Sequence, residues 1–155
     1  MTAVDPDRDA IAATFSRVPL LGRLSARQRG RLAQFATERS YSAGDTIVKQ
    51  GDTSMALYVI LSGRVGVRRE REGGPPVEVN QLGEGGFFGE LGLLDDEPRA
   101  ATIVALEPTT CALLAKWDFQ NELREDPDIA LALLPVVTAR LRGMLEQVGA
   151  PEAEV

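Results

Sequence analysis

Glycines recur through the middle of the chain and divide it into short apolar runs. These runs are rich in β-branched residues and lie at 46–48, 57–61, 65–67, 77–79, 101–105 and 110–115. The glycines that separate the first of them are Gly44, Gly51, Gly63, Gly73, Gly74, Gly83, Gly85 and Gly86. Such runs bounded by glycine turns are typical of antiparallel strands. A closed or nearly closed barrel pairs many short strands economically, so residues 39–115 are predicted to form an antiparallel β-barrel.

Helical periodicity replaces this pattern at both ends of the chain. Ser25 precedes apolar positions at helical spacing, as a capping residue does, and a helical region is predicted over about residues 8–38. The helical period returns after Lys116 and continues to about Val148, with an interruption at Asp126-Pro127. The expected fold is therefore mainly β with flanking helices, in one domain over residues 1–155.

The composition excludes several classes of protein. The 155 residues carry 17 basic and 23 acidic side chains, a net charge of −6, which argues against general binding to nucleic acid. Histidine is absent from the sequence, and with it the commonest proton shuttle and metal ligand. We therefore expect no enzyme and no metal or other cofactor. The single Cys111 lies in an apolar run and is expected to be buried. With no signal peptide and no apolar stretch long enough to cross a bilayer, we expect a cytoplasmic protein.

The glycine-rich segment 83–102 does not follow the pattern of a plain strand pair. Phe88, Gly89 and Glu90 open a stretch that is too short for an ordinary helix, and Leu91 continues it. Free backbone N–H groups at such a helix start can hold an anion, and glycine allows a phosphate to approach closely. This stretch is therefore a candidate phosphate site.

Arg99 follows in the same segment, between Pro98 and two small residues, Ala100 and Ala101. A planar guanidinium can bind two phosphate oxygens at once, and the small neighbours leave room for a ligand and leave their own N–H groups available. Glu90 would repel a phosphate, so its expected partner is a neutral hydroxyl such as a sugar 2′-OH.

This segment resembles the phosphate-binding cassette of cyclic nucleotide-binding domains, which occur in catabolite activator proteins, protein kinase A regulatory subunits and cyclic-nucleotide-gated channels. The resemblance extends over nearly the whole chain and includes residues 18–21, 24–25, 41–45, 50–52, 57–63, 83–102 and 118–119. It implies a jelly-roll fold, a cupin-like double-stranded β-helix, with the cassette at residues 86–102.

The resemblance also implies a role for each matching residue. Arg99 would pair with the cyclic phosphate, and Glu90 would take the ribose 2′-OH. The family's guanine-binding members tend to have Ser or Thr where this chain has Ala100, so cAMP is the expected ligand and cGMP the alternative. The chain departs from the family at Gly86, usually Asp, and at Gly92, often Ala. The expected ligand-binding set is Phe88, Gly89, Glu90, Leu91, Arg99, Ala100 and Ala101.

Other interpretations of these residues are weighed beside the nucleotide site. Arg99 and Glu90 would alternatively form a structural ion pair. The acidic triplet 95–97 would be a metal or acid–base cluster, although a solvated turn fits adjacent carboxylates better. An interaction domain that has kept the fold but lost its ligand is the alternative to a receptor.

The apolar residues of the last predicted helix indicate which partners to expect. Leu134, Val137, Leu141, Met144 and Val148 follow the 3-4-3-4 spacing of a coiled-coil seam. They predict either a homodimer contact over residues 134–148 or packing against the barrel. We expect no direct DNA binding, because the sequence ends shortly after Val148 with no helix-turn-helix, and action on an unidentified protein effector.

Overall fold

Two helices begin the part of the chain that the computed structural model describes, residues 6–149. Helix α1 spans Pro6–Phe15 and α2 spans Ala26–Phe35, with a 3-10 turn at Pro19–Leu21 between them. Ser25 caps α2 as its position in the sequence predicts: its Oγ accepts from the Gln28 N–H at 3.1 Å, and its own N–H donates to Gln28 Oε1 at 2.9 Å.

Eight strands follow, and they form two four-stranded antiparallel sheets. They are β1 (Thr37–Tyr41), β2 (Thr46–Val48), β3 (Ala56–Ser62), β4 (Val65–Arg71), β5 (Gly74–Leu82), β6 (Phe87–Phe88), β7 (Thr102–Ala105) and β8 (Thr109–Ala115). The first sheet has the order β1-β8-β3-β6 and the second β2-β7-β4-β5. The first strand begins at Thr37, slightly earlier than the predicted boundary at residue 39.

The predicted closure into a barrel is not observed among residues 6–149, because strands pair only within their own sheet. Two of the four edge strands, β2 and β6, have three and two residues, which is too short to continue a ladder into the other sheet. The sheets instead share a hydrophobic cluster that includes Ile60, Cys111 and Leu113 from one and Val65 and Ile103 from the other.

The larger core joins the first sheet to the helices. Helix α3 spans Lys116–Glu125 and α4 spans Asp128–Gln147. The side chains buried between α1, α2, β3, β8 and these helices include Phe15, Leu32, Leu57, Leu114, Phe119 and Ile129. This core fixes the start of α4 on the body of the protein.

The rest of α4 leaves its apolar face uncovered. Four residues of the helix and its C-cap residue Val148 are each between 40% and 75% exposed, namely Leu134, Val137, Leu141, Met144 and Val148. The interpretation of this stripe as packing against the sheets is therefore wrong. No helix among residues 6–149 is both long enough and apolar enough to cross a membrane.

Candidate functional site

A cavity of about 600 Å³ lies between the second sheet and the loop that joins β6 to β7. Its apolar wall consists of Val48, Val67, Leu82 and Ile103, one residue from each strand of that sheet. The structure brings every residue of the predicted set to this cavity: Phe88, Gly89, Glu90, Leu91, Arg99, Ala100 and Ala101 all line it.

Arg99 is the most unusual group in the cavity, because it is a buried cation with an unfilled bonding position. Only 8% of the residue is exposed. Its Nη2 donates to the Ala56 carbonyl at 2.8 Å, whereas Nη1 is buried and has no hydrogen-bond partner among the described residues. Buried polar groups are nearly always hydrogen-bonded, so a partnerless guanidinium nitrogen beside a cavity points to a group that the ligand brings.

Aromatic rings support the guanidinium from one side. The Arg99 guanidinium carbon lies 5.5 Å from the centroid of the Tyr58 ring, within the range of a cation–π contact. The Phe88 ring stacks on the Tyr58 ring, with the two ring centroids 4.8 Å apart. Burial lowers the pKa of Arg99, and Tyr58 opposes that shift. Arginine nevertheless stays charged in proteins, so the cavity holds a permanent cation.

The backbone around Arg99 is held by the turn that precedes β3. The Arg99 N–H donates to the Asp52 carbonyl at 2.8 Å, and the Gly51 N–H donates to the Arg99 carbonyl at 2.9 Å. Gly51 has a φ of 90°, a conformation that glycine adopts without strain. Thr53 and Pro98 form an isolated antiparallel bridge next to these bonds. Arg99 is therefore anchored through both its main chain and its side chain.

Gly89 is required where it stands, because the guanidinium lies against its backbone. Its φ is 84°, and a Cβ at this position would lie 2.0 Å from Arg99 Nη1 and 2.8 Å from the Ala56 carbonyl oxygen. Directly after Arg99, neither Ala100 nor Ala101 donates its N–H to a backbone carbonyl in the loops of residues 6–149. The guanidinium nitrogen and these amides are hydrogen-bond donors that an anion can use.

Glu90 lines the cavity, but its carboxylate already has partners. Arg140 of α4 donates through Nη2 to Oε1 at 2.9 Å, and the Leu20 N–H donates to Oε2 at 3.4 Å. The Glu90 side chain is 12% exposed and that of Arg140 is 36% exposed. The alternative interpretation, a structural ion pair between Glu90 and Arg99, is not what the structure shows; Glu90 connects the cavity to the last helix instead.

The acidic triplet forms a turn. Asp95 Oδ1 accepts from the Glu97 N–H at 3.1 Å, while Asp96 pairs with the Lys116 ammonium at 2.8 Å. Lys116 also donates to the Asp95 carbonyl, and its hydrogen bond lowers the pKa of Asp96. Among residues 6–149 no three His, Cys, Asp or Glu side chains lie close enough together to hold a metal ion.

The residues of this region that lie outside the predicted set include Ser54, Tyr58, Lys116 and Arg140. Tyr58 lies in a run that the sequence predicts as a strand, but its pairing with Phe88 is seen only in the structure. The partnership of Arg140 with Glu90 spans 50 residues of sequence and has no local signature.

Comparison with known proteins agrees with this geometry. Residues 38–126 match the family described as the cyclic nucleotide-binding domain. A cAMP-dependent protein kinase regulatory subunit from Mucor circinelloides f. lusitanicus is 41% identical over 74% of this chain and 26% of its own length. A cyclic AMP receptor protein from Thermus thermophilus is 35% identical over 80% of this chain and 57% of its own.

A solved structure extends the similarity to three dimensions. The N-terminal domain of a transcriptional regulator from Streptomyces coelicolor A3(2) has a TM-score of 0.80 and 33% identity, and the match covers 86% of this chain and 95% of that one. The chain belongs to the cyclic nucleotide-binding domain family. It spans about a quarter of the length of the kinase subunit and just over half that of the receptor protein.

Proposed function

We propose that this chain is a cAMP receptor module without catalytic activity of its own. The observation that carries the proposal is the buried Arg99 guanidinium, whose Nη1 has no partner among the described residues; both Arg99 and Gly89, against which Nη1 lies, line the cavity. A cyclic nucleotide carries one negative charge on its phosphate. That charge would compensate the buried cation and supply the missing hydrogen-bond acceptor.

The remaining parts of the nucleotide have matching groups in the cavity. The N–H groups of Ala100 and Ala101 would donate to the phosphate, and the Glu90 carboxylate would accept from the ribose 2′-OH. The base would lie against the apolar wall that Val67 and Ile103 belong to. Adenine is favoured over guanine because Ala100 offers no hydroxyl. Two relatives are named for cAMP, which supports this choice.

The same proposal includes a path for the signal. Glu90 holds Arg140 at 2.9 Å, so a ribose hydroxyl that bonds to Glu90 acts on a carboxylate already attached to α4. Ligand binding would then change how α4 sits against the cassette. A ligand shifts such an equilibrium only by its difference in affinity between the two arrangements. Hydrogen exchange of residues 128–147 with and without cAMP tests this step, and identical protection would contradict it.

Calorimetric titration with cAMP, cGMP and AMP tests the receptor assignment. We expect cAMP to bind most tightly, cGMP more weakly and AMP weakest. Arg99→Lys should weaken cAMP binding at least about tenfold, about 1.4 kcal/mol, because an ammonium lacks the fork of donors. Arg23→Lys, at an exposed position of the same residue type, is the matched control and should bind like wild type. Binding of none of the three nucleotides, or equal binding by Arg99→Lys, would contradict the assignment.

A second candidate function is an interaction module that binds no nucleotide. The observation in its favour is the exposed apolar face of α4, which includes Leu134, Leu141 and Met144. This face would serve as a homodimer contact or receive a protein effector. A thermal-shift assay with cAMP separates the two candidates, since only the receptor is stabilised by ligand. Sedimentation equilibrium of wild type and Leu141→Glu tests the dimer.

A further inference from the structure

Gly92 and Ser54 share one packing space beneath the cavity. Gly92 is the middle residue of the 3-10 turn Leu91–Leu93 and is buried. A Cβ added to it would lie 2.0 Å from Ser54 Oγ and 2.6 Å from Ser54 Cβ. Ser54 itself is 3% exposed. The serine side chain therefore fills the space that a methyl group at residue 92 would take.

A change of rotamer cannot relieve this contact. Turning Ser54 Oγ away would remove the 2.0 Å approach but leave Cβ at 2.6 Å, a distance that real Cβ atoms essentially never show. One of the two backbones would have to move. Neither moves freely, because Leu93 is buried in the main core and Ser54 lies in the short segment between the Thr53–Pro98 bridge and β3.

Residues on both sides of Ser54 also bind Arg99. Asp52 accepts from the Arg99 N–H, and Ala56 accepts from the Arg99 guanidinium. Residues 52–56 thus contact both halves of the phosphate site, Arg99 through hydrogen bonds and the 3-10 turn through the contact of Ser54 with Gly92. The turn begins directly after Glu90.

We propose that Ser54 is a positioning residue for the nucleotide site: through its contact with Gly92 it sets the distance between the turn after Glu90 and the Arg99 guanidinium. The inference rests on the proposed cAMP binding. Overpacking this contact would move the turn after Glu90 away from the Arg99 guanidinium and weaken binding, and removing the serine side chain would make room for alanine at residue 92.

Four variants test the inference by calorimetry with cAMP, at a temperature where circular dichroism shows each variant folded. Gly92→Ala should bind cAMP at least about tenfold more weakly than wild type. Adding Ser54→Gly to it should restore the dissociation constant to within about threefold of wild type. Adding Ser54→Ala should fail to restore it, because the Cβ that lies 2.6 Å away is still present. Ser54→Gly alone completes the mutant cycle.

The rescue separates positioning from general stability. Gly30→Ala is the matched control, since an added Cβ there meets nothing within 4 Å, and it should leave cAMP affinity unchanged. Wild-type affinity in Gly92→Ala, or equal rescue by Ser54→Ala and Ser54→Gly, would overturn the inference while leaving the receptor assignment intact. A wild-type protein that binds no nucleotide would overturn both.

Discussion

Two glycines with similar positive φ angles allow the packing of Arg99 to be measured. Gly89 has a φ of 84° and Gly44 a φ of 91°. An added Cβ at Gly89 would meet Arg99 Nη1 at 2.0 Å, whereas at Gly44 it would meet nothing within 4 Å. Alanine at either position would have a positive φ, which is strained for a residue with a Cβ, but of the two only Gly89→Ala should displace the guanidinium.

The two contributions can be estimated separately. A left-handed conformation costs a residue with a Cβ about 1–2 kcal/mol, and this applies to both variants. Gly89→Ala also breaks the hydrogen bond between Arg99 Nη2 and the Ala56 carbonyl, which measures 2.8 Å. A hydrogen bond to a charged group contributes about 1.5–3 kcal/mol. We expect Gly44→Ala to lose about 1–2 kcal/mol of unfolding free energy and Gly89→Ala about 2.5–5 kcal/mol.

The two variants should also differ in ligand binding, because Arg99 is the proposed phosphate ligand. Urea unfolding gives the two stability losses, and calorimetry gives the cAMP affinities under conditions where both variants are folded. Gly44→Ala should bind within about threefold of wild type, and Gly89→Ala should lose at least about 100-fold. If Gly89→Ala matched Gly44→Ala in both stability and affinity, the close approach of Arg99 to Gly89 would play no part in the site.

Three further predictions concern single groups. Glu90→Gln should reduce the preference for cAMP over its 2′-deoxy analogue, measured as a ratio of dissociation constants, and an unchanged ratio would remove Glu90 from ribose recognition. Asp96→Asn should unfold at a lower urea concentration than wild type at pH 7, because Lys116 lowers the pKa of Asp96 and a lowered carboxyl pKa stabilises the folded state above the ordinary value of 3.8. This stabilisation is lost on acidification, so the difference in urea midpoint between the two proteins should narrow below that pH. A difference that widens there would contradict the pairing of Asp96 with Lys116. Cys111 is fully buried and burial raises its pKa to about 11, so iodoacetamide at pH 8 should label it only after unfolding in urea; rapid labelling of the folded protein would refute this.

Local patterns predict much of this fold. The capping residue Ser25 predicts the start of α2, and the glycine-bounded runs predict the strands, because turns and caps depend on a few adjacent residues. The convergence of residues 88–91 and 99–101 on one cavity was also expected, since they lie in one short segment that resembles a known cassette. Their binding roles remain predictions.

The features that were not predicted depend on long-range placement. The predicted closed barrel does not form because β2 and β6 are too short to extend either sheet. The length of an edge strand is poorly encoded in local periodicity. The contact of Arg140 with Glu90 joins a helix to a loop that lies 50 residues earlier. In the sequence Gly92 is only a departure from the alanine that the family often has there, whereas the structure shows the side chain of Ser54 in the space that an alanine methyl group would take. Neither the contact of Arg140 with Glu90 nor that of Ser54 with Gly92 can be predicted from the residues next to it in the sequence.

A crystal structure with bound cAMP tests the central claim most directly. We expect density for the nucleotide in the cavity beside β7, with an exocyclic phosphate oxygen about 3 Å from Arg99 Nη1, the nitrogen that has no partner in the described part of the chain. An empty cavity at saturating cAMP, or a nucleotide bound with its phosphate away from Arg99, would contradict the claim.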